Sequence, residues 1–124
     1  MEIIQSEAAP AAVGPYSQAV QVGHLLFCSG QIPVDPETKA IVEGDIHAQV
    51  EQVLKNITAV LAAANLTLAN VVKATVFMVD LKDFPVMNGL YAQAFGDHKP
   101  ARSTIQVAAL PLGARVEIEV IAEL

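Results

Sequence analysis

The stretch Pro100-Ala101-Arg102-Ser103-Thr104-Ile105-Gln106-Val107-Ala108-Ala109, followed by Leu110-Pro111-Leu112-Gly113 and Arg115-Val116-Glu117-Ile118-Glu119-Val120-Ile121-Ala122, decides how this chain is read. Both arms alternate polar and apolar residues at period two, which predicts two strands, and the Leu-Pro-Leu-Gly step predicts the turn of a hairpin between them. Side chains alternate faces along a strand, so Arg102, Thr104 and Gln106 share one face of the first arm, and Glu117 and Glu119 share one face of the second. A hairpin sets an arginine and a carboxylate on neighbouring strands. An exposed ion pair of that kind contributes little, and a plain solvated sheet face satisfies the pattern equally well.

Working back from this stretch, Phe84 to Phe95 reads as a helix with Asp83 as its cap, Pro85 in its first turn and Gly96 at its end. Phe84, Met87, Tyr91 and Phe95 form its buried stripe, with Asn88 near the edge as a surface polar residue. Val71 to Asp80 is a strand apolar on both faces, with Val72, Ala74, Val76 and Met78 on one and Thr75, Phe77 and Val79 on the other. Before it lies the clearest helix, about Ile46 to Ala64, whose apolar stripe runs from Ile46 through Val50, Val53, Ile57, Val60 and Leu61. Asp45 caps its start and Asn65 ends it in a left-handed conformation, while Gln49, Glu51, Gln52, Lys55 and Asn56 are assigned to its outer face.

The N-terminal third predicts a short strand, Glu2 to Gln5, then a loop holding Gly14-Pro15-Tyr16. A hairpin about Gly23-His24 follows, with strands near 17–22 and 25–30. Pro15 fixes the backbone that leads into Tyr16, which is either presented to a ligand or caps the edge of the core. Ser29-Gly30 closes the second strand, where a glycine admits close approach of another group or simply marks the strand's stop. Residues 33–44 read as an irregular loop with a minor strand at 40–42.

Composition sets the limits. The 124 residues predict one domain, 1–124. They are 53% hydrophobic and 16% charged, apolar for so small a surface-rich domain, and two helices can cover only one face of the implied mixed sheet. The other face needs cover from further subunits, so a homo-oligomer is expected. A net charge of −6 with seven Lys and Arg spread along the chain argues against a nucleic-acid partner. No run of about 18 apolar residues predicts a membrane span, and no leader is recognisable, so a cytoplasmic protein is expected. Cys28 stands alone, which excludes an intramolecular disulfide and a cysteine-built zinc site, and its apolar surroundings read as core. His24, His47 and His98 are dispersed, and no dinucleotide, phosphate-loop, zinc-protease or nucleophile-elbow motif is present, so neither a cofactor nor a metal is expected.

Gly14-Pro15-Tyr16-Ser17-Gln18-Ala19, Ser29-Gly30-Gln31-Ile32-Pro33, Val72-Lys73-Ala74-Thr75-Val76-Phe77, Asn88 with Tyr91, Pro100-Ala101-Arg102-Ser103 and Val116-Glu117-Ile118-Glu119-Val120-Ile121-Ala122 together resemble the RidA (YjgF) family of reactive intermediate imine deaminases, in order and spacing over essentially the whole chain. The resemblance implies an α+β, chorismate-mutase-like mixed sheet with two helices on one face, assembled as a homotrimer with sites in the clefts between subunits. It implies hydrolysis of 2-imino acids and their enamine tautomers (2-aminoacrylate, 2-iminopropanoate, 2-iminobutanoate) to 2-keto acids and ammonia. The family's site maps onto Tyr16, Ser29, Gly30, Asn88, Arg102, Thr104 and Glu117. Arg102 suits the substrate carboxylate through its fork of donors, and Glu117 suits proton transfer. If the two were paired, Arg102 would lower the pKa of Glu117 and weaken it as a base. Thr104 departs from the cysteine common in the family, so a thiol role at that position does not apply. A carboxylate-binding regulatory module or a holdase-like protein without turnover are the competing classes, and the joint presence of Arg102 and Glu117 favours the enzyme.

Overall fold

The computed structural model describes all 124 residues. One six-stranded mixed sheet is built from β1 (Glu2–Ile4), β2 (Ala19–Val22), β3 (Leu25–Cys28), β4 (Val71–Met78), β5 (Ala101–Gln106) and β6 (Val116–Glu123), with helices α1 (Ile46–Ala63) and α2 (Phe84–Phe95) packed on one face. The strand order is β1-β2-β3-β6-β4-β5.

That order corrects the reading of the C-terminal stretch. β5 and β6 are strands, but not a hairpin: β4 lies between them, parallel to β5 and antiparallel to β6. Skipping one strand means crossing about 10 Å of sheet, too far for a tight turn, and residues 107–115 supply the length. They pass over the end of β4, fastened by Val107 N–H to Met78 C=O (2.8 Å) and by Val79 N–H to Arg115 C=O (3.2 Å). Only Pro111–Gly113 forms a helical turn, with Leu112 in the left-handed region. β4, α2 and β5 make a parallel crossover in which the helix covers the sheet it returns to.

α1 forms as its stripe predicts. Asp45 accepts a hydrogen bond from Ala48 N–H at the first turn, and Asn65 adopts φ +60° just beyond the last. Two residues assigned to its outer face are instead buried, Gln49 (6% exposed) and Asn56 (1%). Each is there to satisfy backbone groups that have no strand partner. Asn56 Nδ2 donates to Ile32 C=O and Val34 C=O, and Gln49 Oε1 accepts from Arg115 N–H. They pin the irregular loop and the β5–β6 connection to the helix. The minor strand expected at 40–42 is reduced to a single bridge between Val34 and Ile41.

On α2, Asp83 is not the side-chain cap expected; its carboxylate accepts from Arg115 Nη2 at 2.7 Å. Met87, Tyr91 and Phe95 are buried as the stripe predicts. Register on β4 shifts by one at a bulge between Val71 and Lys73, so Val71 turns inward and Val72, expected inside, is exposed. From Ala74 onward the alternation holds. Ala74, Val76 and Met78 meet Val116, Ile118 and Val120 beneath the helices, and Thr75, Phe77, Glu117 and Glu119 occupy the opposite, helix-free face.

Candidate functional site

The face on which each strand residue lies divides the candidate site into two groups. In the parallel register Arg102 pairs with Ala74 and Thr104 with Val76, so both point to the helix side. There the guanidinium meets α2. Nη1 donates to Asn88 Oδ1 at 2.9 Å, and Cζ lies 4.7 Å from the Tyr91 ring centre and 5.6 Å from that of Phe84. Asn88, which reads as a surface polar residue from its place on the helix and as a site residue from the family resemblance, is the arginine's hydrogen-bond partner. Thr104 places a buried hydroxyl on the same face with no partner in the chain. β5 is the outermost strand, so the far edge of its backbone is unpaired.

The second group forms at the other end of the chain's order. An isolated bridge between Gln31 and Ile118 carries Ser29-Gly30 alongside β6. Ser29 Oγ donates to Ser17 C=O at 2.6 Å, which leaves its lone pairs free to accept. Gly30 matters by contact rather than by φ: a Cβ there would occupy the space of the Glu117 carboxylate and push that side chain aside. Gln18 is buried and ties down the loop that carries Tyr16, accepting from Ser6 N–H and donating to Ser6 C=O and Pro10 C=O. Tyr16 itself is 53% exposed and shares a cavity of about 390 Å³ with Gly30, Gln31, Lys39 and Leu112. A larger groove, about 750 Å³, runs over the outer side of α1 and contains none of the site residues.

Arg102 and Glu117 therefore do not form the cross-strand pair expected of a hairpin. They belong to strands separated by β4 and lie on opposite faces of the sheet. The feared depression of the Glu117 pKa by Arg102 is absent within the chain. Burial instead raises the Glu117 pKa above its ordinary value, and the neighbouring Glu119 on the same face adds to the rise. A carboxyl group tuned upward serves as both acceptor and donor of protons nearer neutrality. Cys28 is no nucleophile: burial pushes its thiol up to about 12. No three His, Cys, Asp or Glu side chains converge as metal ligands, and no helix is long and apolar enough to cross a membrane.

The close contact at Gly30 gives a direct test. Gly30→Ala must displace the flexible Glu117 side chain while leaving the backbone in place. The expected result is a fall in kcat with a melting temperature close to that of the parent; unaltered kcat would show that the position of this carboxylate does not matter.

The sequence reading put Tyr16, Ser29, Gly30, Asn88, Arg102, Thr104 and Glu117 in a single site; within one chain the structure groups Asn88, Arg102 and Thr104 on the helix side and Ser29, Gly30 and Glu117 apart from them, with Tyr16 in the cavity beside Gly30. Sequence reasoning missed Tyr91 and Phe84 as neighbours of the guanidinium, since their spacing reads as core, and it gave Gln18 no role. The one available signal was the i, i+3 spacing of Asn88 and Tyr91, which puts both on the side of α2 that faces β5.

The Endoribonuclease L-PSP family model matches residues 6–124. A RutC family protein of Pyrococcus horikoshii is 51% identical over 98% of this chain and 96% of its own. The 2-iminobutanoate/2-iminopropanoate deaminase of Salmonella typhimurium is 48% identical over 96% of this chain and 94% of its own. Among solved structures, Escherichia coli TdcF with bound serine superposes with a TM-score of 0.95 at 43% identity, covering 100% of this chain and 99% of that one. With the family's model spanning nearly its whole length, and with relatives of this identity, the chain belongs to the Endoribonuclease L-PSP family, the RidA family that its motifs resemble.

Proposed function

We propose that this protein is an imine deaminase: it hydrolyses reactive 2-imino acids and their enamine tautomers to 2-keto acids and ammonia, in clefts between the subunits of a homotrimer. The activity agrees with the name of the Salmonella relative. The observation that carries the assembly is the division of the site: an arginine with open donors on one face and an upward-tuned carboxyl group on the other, each in half a cleft. A second copy that brought its β5 edge and α2 to the helix-free face would complete both halves and cover the exposed Phe27 and Ile105. The serine bound to TdcF is a small amino acid whose carboxylate matches the group Arg102 is suited to hold.

Within such a cleft, Arg102 binds the substrate carboxylate through two parallel N–H donors that its single bond to Asn88 leaves free. Glu117 takes a proton from a water as that water attacks the C=N carbon. It returns that proton to the nitrogen, which completes the tetrahedral carbinolamine, and then carries the carbinolamine's hydroxyl proton to the same nitrogen as the C–N bond breaks, releasing the keto acid and ammonia. For an enamine, the same group in its protonated form delivers a proton to the β-carbon first. Ser29, whose hydroxyl hydrogen is already committed to Ser17, orients the water as an acceptor. Tyr16 and the backbone at Gly30 and Thr104 shape the walls. These imines also hydrolyse unaided in water, so positioning and one proton carrier suffice.

The family's description names an endoribonuclease. A net charge of −6 and a half-site with one arginine favour a small carboxylate over a polyanion. A coupled assay tests the reading: threonine dehydratase generates the imine, and 2-oxobutanoate appearance is followed. Acceleration by the protein is expected, together with gel-filtration elution at three times the mass of one chain. Absence of acceleration overturns the deaminase reading, and elution as a monomer at micromolar concentration overturns the trimer.

A further inference from the structure

Arg102 is held by more than its hydrogen bond. Its guanidinium carbon lies 4.7 Å from the centre of the Tyr91 ring, closer than the 5.6 Å to Phe84, and well within the distance at which an aromatic face attracts a cation. The Tyr91 ring is itself fixed, stacked on Phe95 at 4.3 Å between centroids with 26° between planes, and 7% exposed. Its hydroxyl, by contrast, is buried with no hydrogen-bond partner. A tyrosine usually earns burial by pairing its hydroxyl. Here the ring is what the neighbourhood uses.

We propose that Tyr91 is the positioning residue of the carboxylate anchor: its ring carries the Arg102 guanidinium, with Asn88 setting the rotation about it, so that the remaining N–H edge stands ready for the substrate. This rests on the reading of Arg102 as the carboxylate-binding group. The platform matters because a free arginine side chain loses rotamer freedom whenever it binds. Held between the Tyr91 ring and Asn88, it has lost that freedom beforehand, and the carboxylate meets a fixed fork. Burial keeps the phenol neutral, raising its pKa against the opposing effect of Arg102, so the ring offers its π face without competing charge.

The contribution is to binding, so it should appear in KM and in the affinity for product-like keto acids rather than in kcat. The test compares Tyr91→Leu, Tyr91→Phe and Asn88→Asp in the coupled assay and, separately, in calorimetric titration with 2-oxobutanoate, which reads the anchor without turnover. Tyr91→Leu keeps an apolar core side chain and removes the π face. It should raise KM and weaken 2-oxobutanoate binding roughly tenfold, as loss of a partly desolvated cation–π contact implies. Tyr91→Phe should recover most of what Tyr91→Leu loses, since the missing hydroxyl had no partner. Asn88→Asp should weaken binding further by occupying the guanidinium with a carboxylate. Circular dichroism and melting temperature identify the folded fraction of each variant. A KM and a keto-acid affinity for folded Tyr91→Leu within twofold of the parent overturn the proposal. So does a Tyr91→Phe variant as impaired as Tyr91→Leu, since the hydroxyl rather than the ring would then carry the role. If the parent binds 2-oxobutanoate but shows no turnover, the deaminase reading fails while the titration still decides the role of Tyr91.

Discussion

Arg102→Ala is expected to lower kcat/KM for 2-iminobutanoate by two or more orders of magnitude, with most of the loss in KM. A carboxylate held by two charge-assisted hydrogen bonds gains about 1.5 to 3 kcal/mol from each, and a factor of ten corresponds to about 1.4 kcal/mol. Arg102→Lys should fall between the two, since it keeps the charge and loses the planar fork that lies over Tyr91. The fold should survive both changes, because Arg102 is half-buried at an edge strand and its side-chain hydrogen bond is to a residue that is itself partly exposed. Steady-state kinetics alongside melting curves check this, and a parent-like KM in Arg102→Ala would remove the arginine from substrate binding.

Glu117→Gln is expected to act on kcat instead. A positioned acid–base group contributes about 10² to 10⁴ in rate, and glutamine keeps the shape while losing the proton. In the parent, activity should fall on the acidic side as Glu117 becomes protonated, at a pH above the ordinary glutamate range, because burial and Glu119 raise its pKa and the substrate carboxylate takes up the Arg102 guanidinium that would otherwise lower it. The variant should lose that acid limb along with its rate. The stability consequence has the opposite sign. The folded pKa exceeds the unfolded one, so the folded state takes up its proton first and gains stability as pH falls through the folded value. That stability is lost as pH rises. At neutral pH the parent carries an ionised, partly buried carboxylate beside Glu119, and Glu117→Gln should therefore melt higher than the parent there. Slower turnover with a higher melting temperature is the expected combination. A pH–rate profile that keeps its acid limb in the variant would assign the proton transfer to another group.

How far this chain can be read from its residues depends on the range of the interaction in question. α1 is legible because its cause is local: a stripe at helical period, Asp45 before it and Asn65 after it. The alternation of residues 100–106 and 116–122 is equally local, and it predicts strands correctly. It carries no information about which strand lies beside which, so a nine-position connection that vaults β4 looks the same as a hairpin turn with ragged ends. Gln49 and Asn56 were misplaced for a related reason, since a polar residue off the stripe reads as solvated until a loop carbonyl or amide from far along the chain needs it. Val72 fell on the wrong side because one bulge inverts the inside-outside pattern behind it. The identities of the site residues came through resemblance, whereas their division between two faces required the register of three strands.

The position of β6 within the sheet also constrains how the protein is made. β1, β2 and β3 form one ribbon, β4 and β5 another, and β6 pairs with β3 on one side and β4 on the other. Without residues 116–123 no strand hydrogen-bonds one ribbon to the other, and the inner face of each has only a partial roof. During synthesis the central strand of the sheet is the last of the six to emerge. Both ribbons must then wait, with apolar edges open, for a segment that pairs across most of the chain's length. Such late, long-range closure favours a single cooperative step over folding ribbon by ribbon, and it makes the interval before β6 emerges the moment of greatest exposure to aggregation.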